Sequence, residues 1–143
     1  MSLFESMDAT PKTTIILATH SSDPALELRG VQRFADGSGF SSRMFVRCHG
    51  FSAERPFYFS ENSFGKALEN LREMNKELKG EARFEEDFEH DQYLDFSMRP
   101  LGHVLVTGHL VLLSGETNRL SFAFMTDQTV LAPLISALET FEP

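Results

Sequence analysis

An α+β fold, with antiparallel sheet packed against two amphipathic helices, is what this chain predicts, and three observations predict it. Short runs rich in β-branched and aromatic residues fill the first sixty positions. Strict alternation of apolar and polar residues returns after residue 80, and each block of strands closes with a segment whose apolar residues recur at helical spacing. The order is four strands and a helix given twice, about eight strands in all. The halves share no residue-level similarity, so what repeats is the pattern.

Residues 1 to 12 are polar and aperiodic and read as a flexible N-terminal tail. From 13 to 143 a single domain is expected, because 41% hydrophobic residues and 14 Phe suffice for one substantial core. Strands are expected over Thr13 to Thr19, Ala25 to Phe34, Arg43 to His49 and Pro56 to Phe59, separated by SSDP, ADGSGFSS and GFSAE, which have turn and loop compositions. Phe64, Ala67, Leu68, Leu71, Met74 and Leu78 then predict a helix over 62 to 79, with Ser60 or Asn62 able to cap its start and Gly80 to end it.

In the second block Ala82, Phe84 and Phe88 alternate with Arg83, Glu85 and Asp87. Leu94, Phe96 and Met98 alternate with Tyr93, Asp95 and Ser97, and Glu86 breaks the apolar face. Val104, Val106, Leu110 and Leu112 line a longer strand with Gly108 as a bulge or close-packing point. Leu120, Phe122 and Phe124 line its partner across a turn near Ser114 to Asn118. The last helix, over 129 to 141, presents Leu131, Leu134, Ile135, Leu138 and Phe141, and Pro133 must lie in its first turn, where it removes no hydrogen bond.

Charge gives the sharpest functional clue. Between Glu81 and Pro143 stand 3 basic and 11 acidic residues, a balance of −8, whereas the first 80 residues hold 10 of each. Such a density repels itself unless solvent, counterions or a cationic partner offset it. It disfavours nucleic acid, whose binding comes from Lys and Arg neutralising phosphates, and favours a basic protein. If the strands around 82 to 88 and 93 to 98 pair with their apolar sides together, partner numbers sum to an even value. A three-residue loop of Glu89, His90 and Asp91 then sets Glu85 or Asp87 opposite Asp95, a like-charge pair that a bound cation or a basic surface would relieve. The bland alternative is a solvated fringe that protects the sheet from aggregation.

Catalytic and metal signatures are missing. No G-x-S-x-G, P-loop, G-x-G-x-x-G or H-E-x-x-H occurs, and EEDFEHD lacks the offsets and the glycine of a calcium loop. His103 and His109 share a strand face but stand ~20 Å apart, too far for one ion. Cys48 reads as a buried, inert thiol. An enzyme would have to assemble Arg47, His49, His103 or His109 into a pocket, and no nucleophile, base and orienter set surrounds them. No cofactor is expected. No run approaches the ~20 apolar residues of a membrane span, and MSLFESMDATPK is not a secretory signal, so a cytoplasmic monomer or homodimer is the expectation.

Several features carry a family resemblance over roughly Leu26 to Glu139. They are the strand ending in Cys48-His49-Gly50-Phe51, the helix closed by Gly80, the run EARFEEDFEHDQYLDFSMRP, Gly102-His103-Val104 opening a long strand, and a final helix approached by Thr126-Asp127-Gln128. Together they resemble the small bacterial immunity proteins of the WapI type and a neighbouring group of uncharacterised proteins. That resemblance implies a non-enzymatic cytoplasmic protein that binds and neutralises the toxic domain of a polymorphic toxin. It brings no site motif that maps residue by residue. The residues expected to meet a basic toxin domain are therefore those of the acidic hairpin: Glu85, Asp87, Glu89, Asp91 and Asp95. The rival readings are a soluble adaptor or structural domain, and, further off, a small-ligand-binding domain or an enzyme.

Overall fold

A computed structural model describes residues 12–86, 91–114 and 116–142. Among them the chain forms an α+β fold of two antiparallel sheets and two helices. The first sheet contains β1 (Thr13–Leu17), β2 (Ala25–Arg33), β3 (Gly39–Cys48) and β4 (Phe51–Pro56) in that spatial order, with the short β5 (Phe59–Ser60) paired to the start of β3. Helix α1 (Glu61–Glu77) follows. The second sheet is a meander of β6 (Glu81–Glu85), β7 (Tyr93–Arg99), β8 (His103–Ser114) and β9 (Glu116–Asp127), and α2 (Leu131–Glu139) closes the fold.

The first block holds five strands where four were expected. The stretch read as the loop GFSAE is mostly β4. His49 and Gly50 both take left-handed backbone, φ 52° and 87°, and so make a two-residue hairpin of the kind whose twist matches paired strands, with Cys48 opposite Phe51. Asp23 holds this turn from outside, its carboxylate accepting the His49 N–H at 2.8 Å and the Gly50 N–H at 3.2 Å. As an edge strand β4 buries little, so it lacks the alternation that reveals a strand.

Ser60 caps α1, its hydroxyl accepting the Ser63 N–H at 3.0 Å, and Phe64, Ala67, Leu68, Leu71 and Met74 are buried as the spacing predicts. Leu78 departs from the expected core. It is the C-cap at φ 56°, turned out into water, with its N–H on the Met74 carbonyl, and Gly80 at φ 102° then directs the chain into β6. Pro133 lies in the first turn of α2, as required.

Both sheets and both helices contribute to one buried cluster. Its aromatic centre is Phe40, packed on Phe59 at 5.1 Å between ring centroids, on Phe64 at 4.8 Å and edge-on to Phe141 at 5.7 Å. Phe59 passes the contact to Phe84 of the second sheet at 5.4 Å. Arg72 of α1 clasps Glu139 and Glu142 at 2.7 and 2.6 Å and so ties the two helices together. The thiol of Cys48 is buried and pushed above its ordinary pKa by that burial, which leaves little thiolate.

Most of the predicted alternation in the second sheet holds, with Ala82, Phe84, Leu94, Phe96, Val104, Val106, Leu110, Phe122 and Phe124 buried; Met98 and Leu120 are only partly buried, and Val111 is buried out of phase. Phe88 and the side chain of Leu112 lie outside what is described. The turn after β8 is tighter than expected, since pairing continues through Leu112 with Asn118 to Ser114 with Glu116. Gly108 is a close-packing point. It faces Phe122, and a methyl group there would come within 2.3 Å of that ring. Gly108→Ala should therefore cost about 1–3 kcal/mol in chemical denaturation. Combining it with Phe122→Leu should return part of the loss, and a neutral single variant would show that the ring moves aside freely.

Candidate partner-binding face

The second sheet presents one face to the core and leaves most of the other exposed or half-buried, between Val111, which is buried near one end, and Asp127, which His20 meets at 3.0 Å at the other. Because side chains alternate across a strand, the same registry that buries Phe84, Phe96 and Val106 sets the outward residues in rows. Glu85, Tyr93, His109 and Ser121 form one row, and Arg83, Asp95, Thr107 and Ala123 the next. Glu81, Ser97, Leu105 and Met125 follow, and Arg99, His103 and Asp127 end the face at the turn after β7.

This registry corrects the like-charge reading of the hairpin. The parity argument holds, since every β6 and β7 pair sums to an even number, but the connection runs from 86 to 92 and is longer than three residues. Asp95 therefore stands opposite Arg83, and Glu85 opposite Tyr93. Arg83 donates from Nε and Nη2 to the two carboxylate oxygens of Asp95 at 2.7 and 2.6 Å, a two-pronged contact that holds the guanidinium more firmly protonated than usual. The same guanidinium lies over the Tyr93 ring at 4.3 Å. Asp95→Asn should thus lower stability, by up to about 1 kcal/mol because the pair is part-exposed, where relief of a like-charge pair would raise it; thermal unfolding decides the sign.

Of the other expected contact residues, Asp91 is exposed and lies 3.4 Å from Arg119, while its carbonyl receives Nδ1 of His109 at 2.7 Å. Glu85 is half-buried at the β6 edge, its N–H donating to the Ser63 hydroxyl at 3.2 Å. Beside it a polar cleft of about 320 Å³ between α1 and β6 is lined by Ser60, Asn62, Ser63, Lys66, Asn70, Arg83 and Glu85. Asp87 and Glu89 lie outside the described residues.

The base of the hairpin is fastened by a residue that the sequence does not single out. Gln92 is buried; its amide donates to Glu86 and, at 3.1 Å, to the Pro56 carbonyl of β4, and its carbonyl oxygen accepts the Val111 N–H of β8 at 3.0 Å. Glu86, which interrupts the apolar alternation, turns inward to meet it, and the Glu86 N–H donates to the main-chain carbonyl of Gln92 at 3.1 Å. Gln92→Ala would leave several buried groups without their partner and should cost about 2–4 kcal/mol. Hydrogen exchange at the Val111 amide should accelerate more than at Val106; equal acceleration would mean that the amide is no local fastening.

The residues an enzyme would need are kept apart. Arg47 is on the outer face of β3 and His49 in the turn after it, in the first sheet; His103 and His109 are on β8 in the second, six positions apart. Among the described residues no three His, Cys, Asp or Glu side chains converge as a metal site would require, and no helix is long and apolar enough to cross a membrane.

Residues 15–141 match the immunity protein WapI-like family, and the chain belongs to that family. It is a family of toxin-immunity proteins. A search of curated proteins finds no match.

Proposed function

We propose that this chain is a non-catalytic cytoplasmic immunity protein, folded as one domain after residue 12, that binds and neutralises a basic toxin domain through the outer face of its second sheet. The observation that carries the reading is the coincidence of family membership with a net charge of −8 gathered wholly between Glu81 and Pro143. Glu85, Asp87, Glu89, Asp91 and Asp95 supply the field that draws a cationic partner in, and the exposed part of the sheet supplies a flat surface for it to meet.

Asp95 holds Arg83 in a two-pronged contact, whereas Asp91 meets Arg119 only at 3.4 Å and is more exposed, so the steering test falls on Glu85 and Asp91. With the toxin domain encoded beside this chain as the probe, Glu85→Gln combined with Asp91→Asn should slow association several-fold at low salt. The deficit should shrink as ionic strength rises, because exposed charges are screened beyond about 8 Å at physiological salt. An unaltered association rate at low salt would reduce the acidic hairpin to an aid to solubility.

A further inference from the structure

Three large apolar residues belong to the second sheet's outer side without being claimed by the core. Met125 is 52% exposed, Leu105 stands beside it in register, half-buried, and Leu101, in the turn Pro100–Gly102 that ends the face, is 94% exposed. Leu101 is the anomaly. It sits at φ 64°, ψ 28°, a left-handed conformation that glycine takes freely and leucine does not. Each non-glycine residue at positive φ has a local reason for its backbone: His49 turns a hairpin held by Asp23, Leu78 caps α1, and Leu101 with Gly102 at φ 74° turns the β7–β8 hairpin, closed by the His103 N–H on the Pro100 carbonyl. At Leu101 neither packing within the chain nor backbone preference selects the side chain. The turn requires the conformation but not a leucine, and a leucine left exposed where Asn or Gly is favoured points to a contact outside the chain.

Composition and size agree. Interfaces are rich in Tyr, Met and Arg and poor in Lys; this face displays Tyr93, Met125, Arg83 and Arg99, and the sequence has no lysine after Lys79. The flat rows cover only about 15 Å by 20 Å, on the order of 300 Å². A stable interface needs about 800 Å² from each partner. A partner seated here must reach past both ends of the face, onto the acidic hairpin at one and onto the Leu101 turn at the other.

We propose that Leu101, with Leu105 and Met125, is the apolar anchor of the contact with the basic partner, while the acidic end of the same face guides its approach. The proposal rests on the assignment of this face to a basic toxin domain. Charge complementarity commits it to that occupant, since a second copy would bring the same −8 against itself. Steering charges act on association and a desolvated anchor on dissociation, so the two ends are separable by kinetics.

The test is binding kinetics against the purified toxin domain encoded beside the gene, using wild type, Leu101→Gly, Met125→Thr and the Glu85→Gln, Asp91→Asn pair. Leu101→Gly should dissociate about tenfold faster or more, with association nearly unchanged. Its melting temperature should stay equal or rise, because glycine relieves the backbone; a merely structural leucine would lower it. Met125→Thr should act in the same direction, less strongly. Unchanged dissociation in both apolar variants, with the acidic pair still slow to associate, overturns the anchor and leaves the steering reading standing. No effect from any variant brings down the assignment of the face as well. If wild type alone sediments as a dimer that Leu101→Gly dissolves, the occupant is a second copy and the proposal is wrong.

Discussion

The buried carboxamide of Gln92 is the constraint on which the arrangement of this molecule turns. A single side chain joins the hairpin of the second sheet to β4 of the first and to the middle of β8. An amide has two donors and a carbonyl oxygen, and here both kinds of group are engaged away from water, where the bonds are strong and any partner lost is expensive. Arg55 adds a second strap between the sheets, its Nε donating to the Val111 carbonyl at 3.3 Å. Apolar packing between Phe59 and Phe84 brings the sheets together, but it is non-directional and tolerates sliding. The polar contacts fix the registry.

Once that registry is fixed, the outward face follows without further choice. Period-2 alternation means that the positions burying Phe84, Phe96, Val106 and Phe124 dictate which residues stand on the other side, and in what rows. The two sheets use their outer faces differently. On the first, Arg29 is neutralised by Glu27 at 2.9 Å and Glu54 at 3.2 Å and lies over Phe45 at 3.9 Å, so its charge is met within the chain, although Ile16 and Phe51 stand exposed. On the second, acidic residues outnumber the arginines that pair with them, and the remainder needs either water or another molecule.

Much of this was legible in the sequence because it is local. Helical spacing from Phe64 to Met74, the cap at Ser60 and alternation along β7 to β9 depend on neighbours a few positions away; Gly108 was visible as a bulge or close-packing point, though not that Phe122 faces it. What was not legible depends on distant contacts. The strand β4 buries too little to alternate, and its turn uses His-Gly, a weaker signal than Asn-Gly. The hairpin parity could be deduced, whereas its register could not, because loop length is set by Gln92 reaching Pro56 and Val111 from other strands. The inward Glu86 was visible as a break in pattern, but the amide that receives it had no signature.

The same distinction bears on where a partner would bind. A cluster of carboxylates is conspicuous in a sequence and draws attention to itself, yet exposed charges contribute mainly to encounter and little to holding. Arg83 and Asp95 show how readily an apparent excess is consumed internally. Leucine and methionine at outward positions of a strand or its turn are inconspicuous, because only the structure reveals that Leu105 and Met125 face away from the core and that Leu101 is almost fully exposed. Water leaves an exposed apolar side chain in a strained turn without any compensating interaction. A partner that desolvated it would gain the apolar area buried, and on the proposed reading the quiet end of the face, rather than its charged end, would hold the partner.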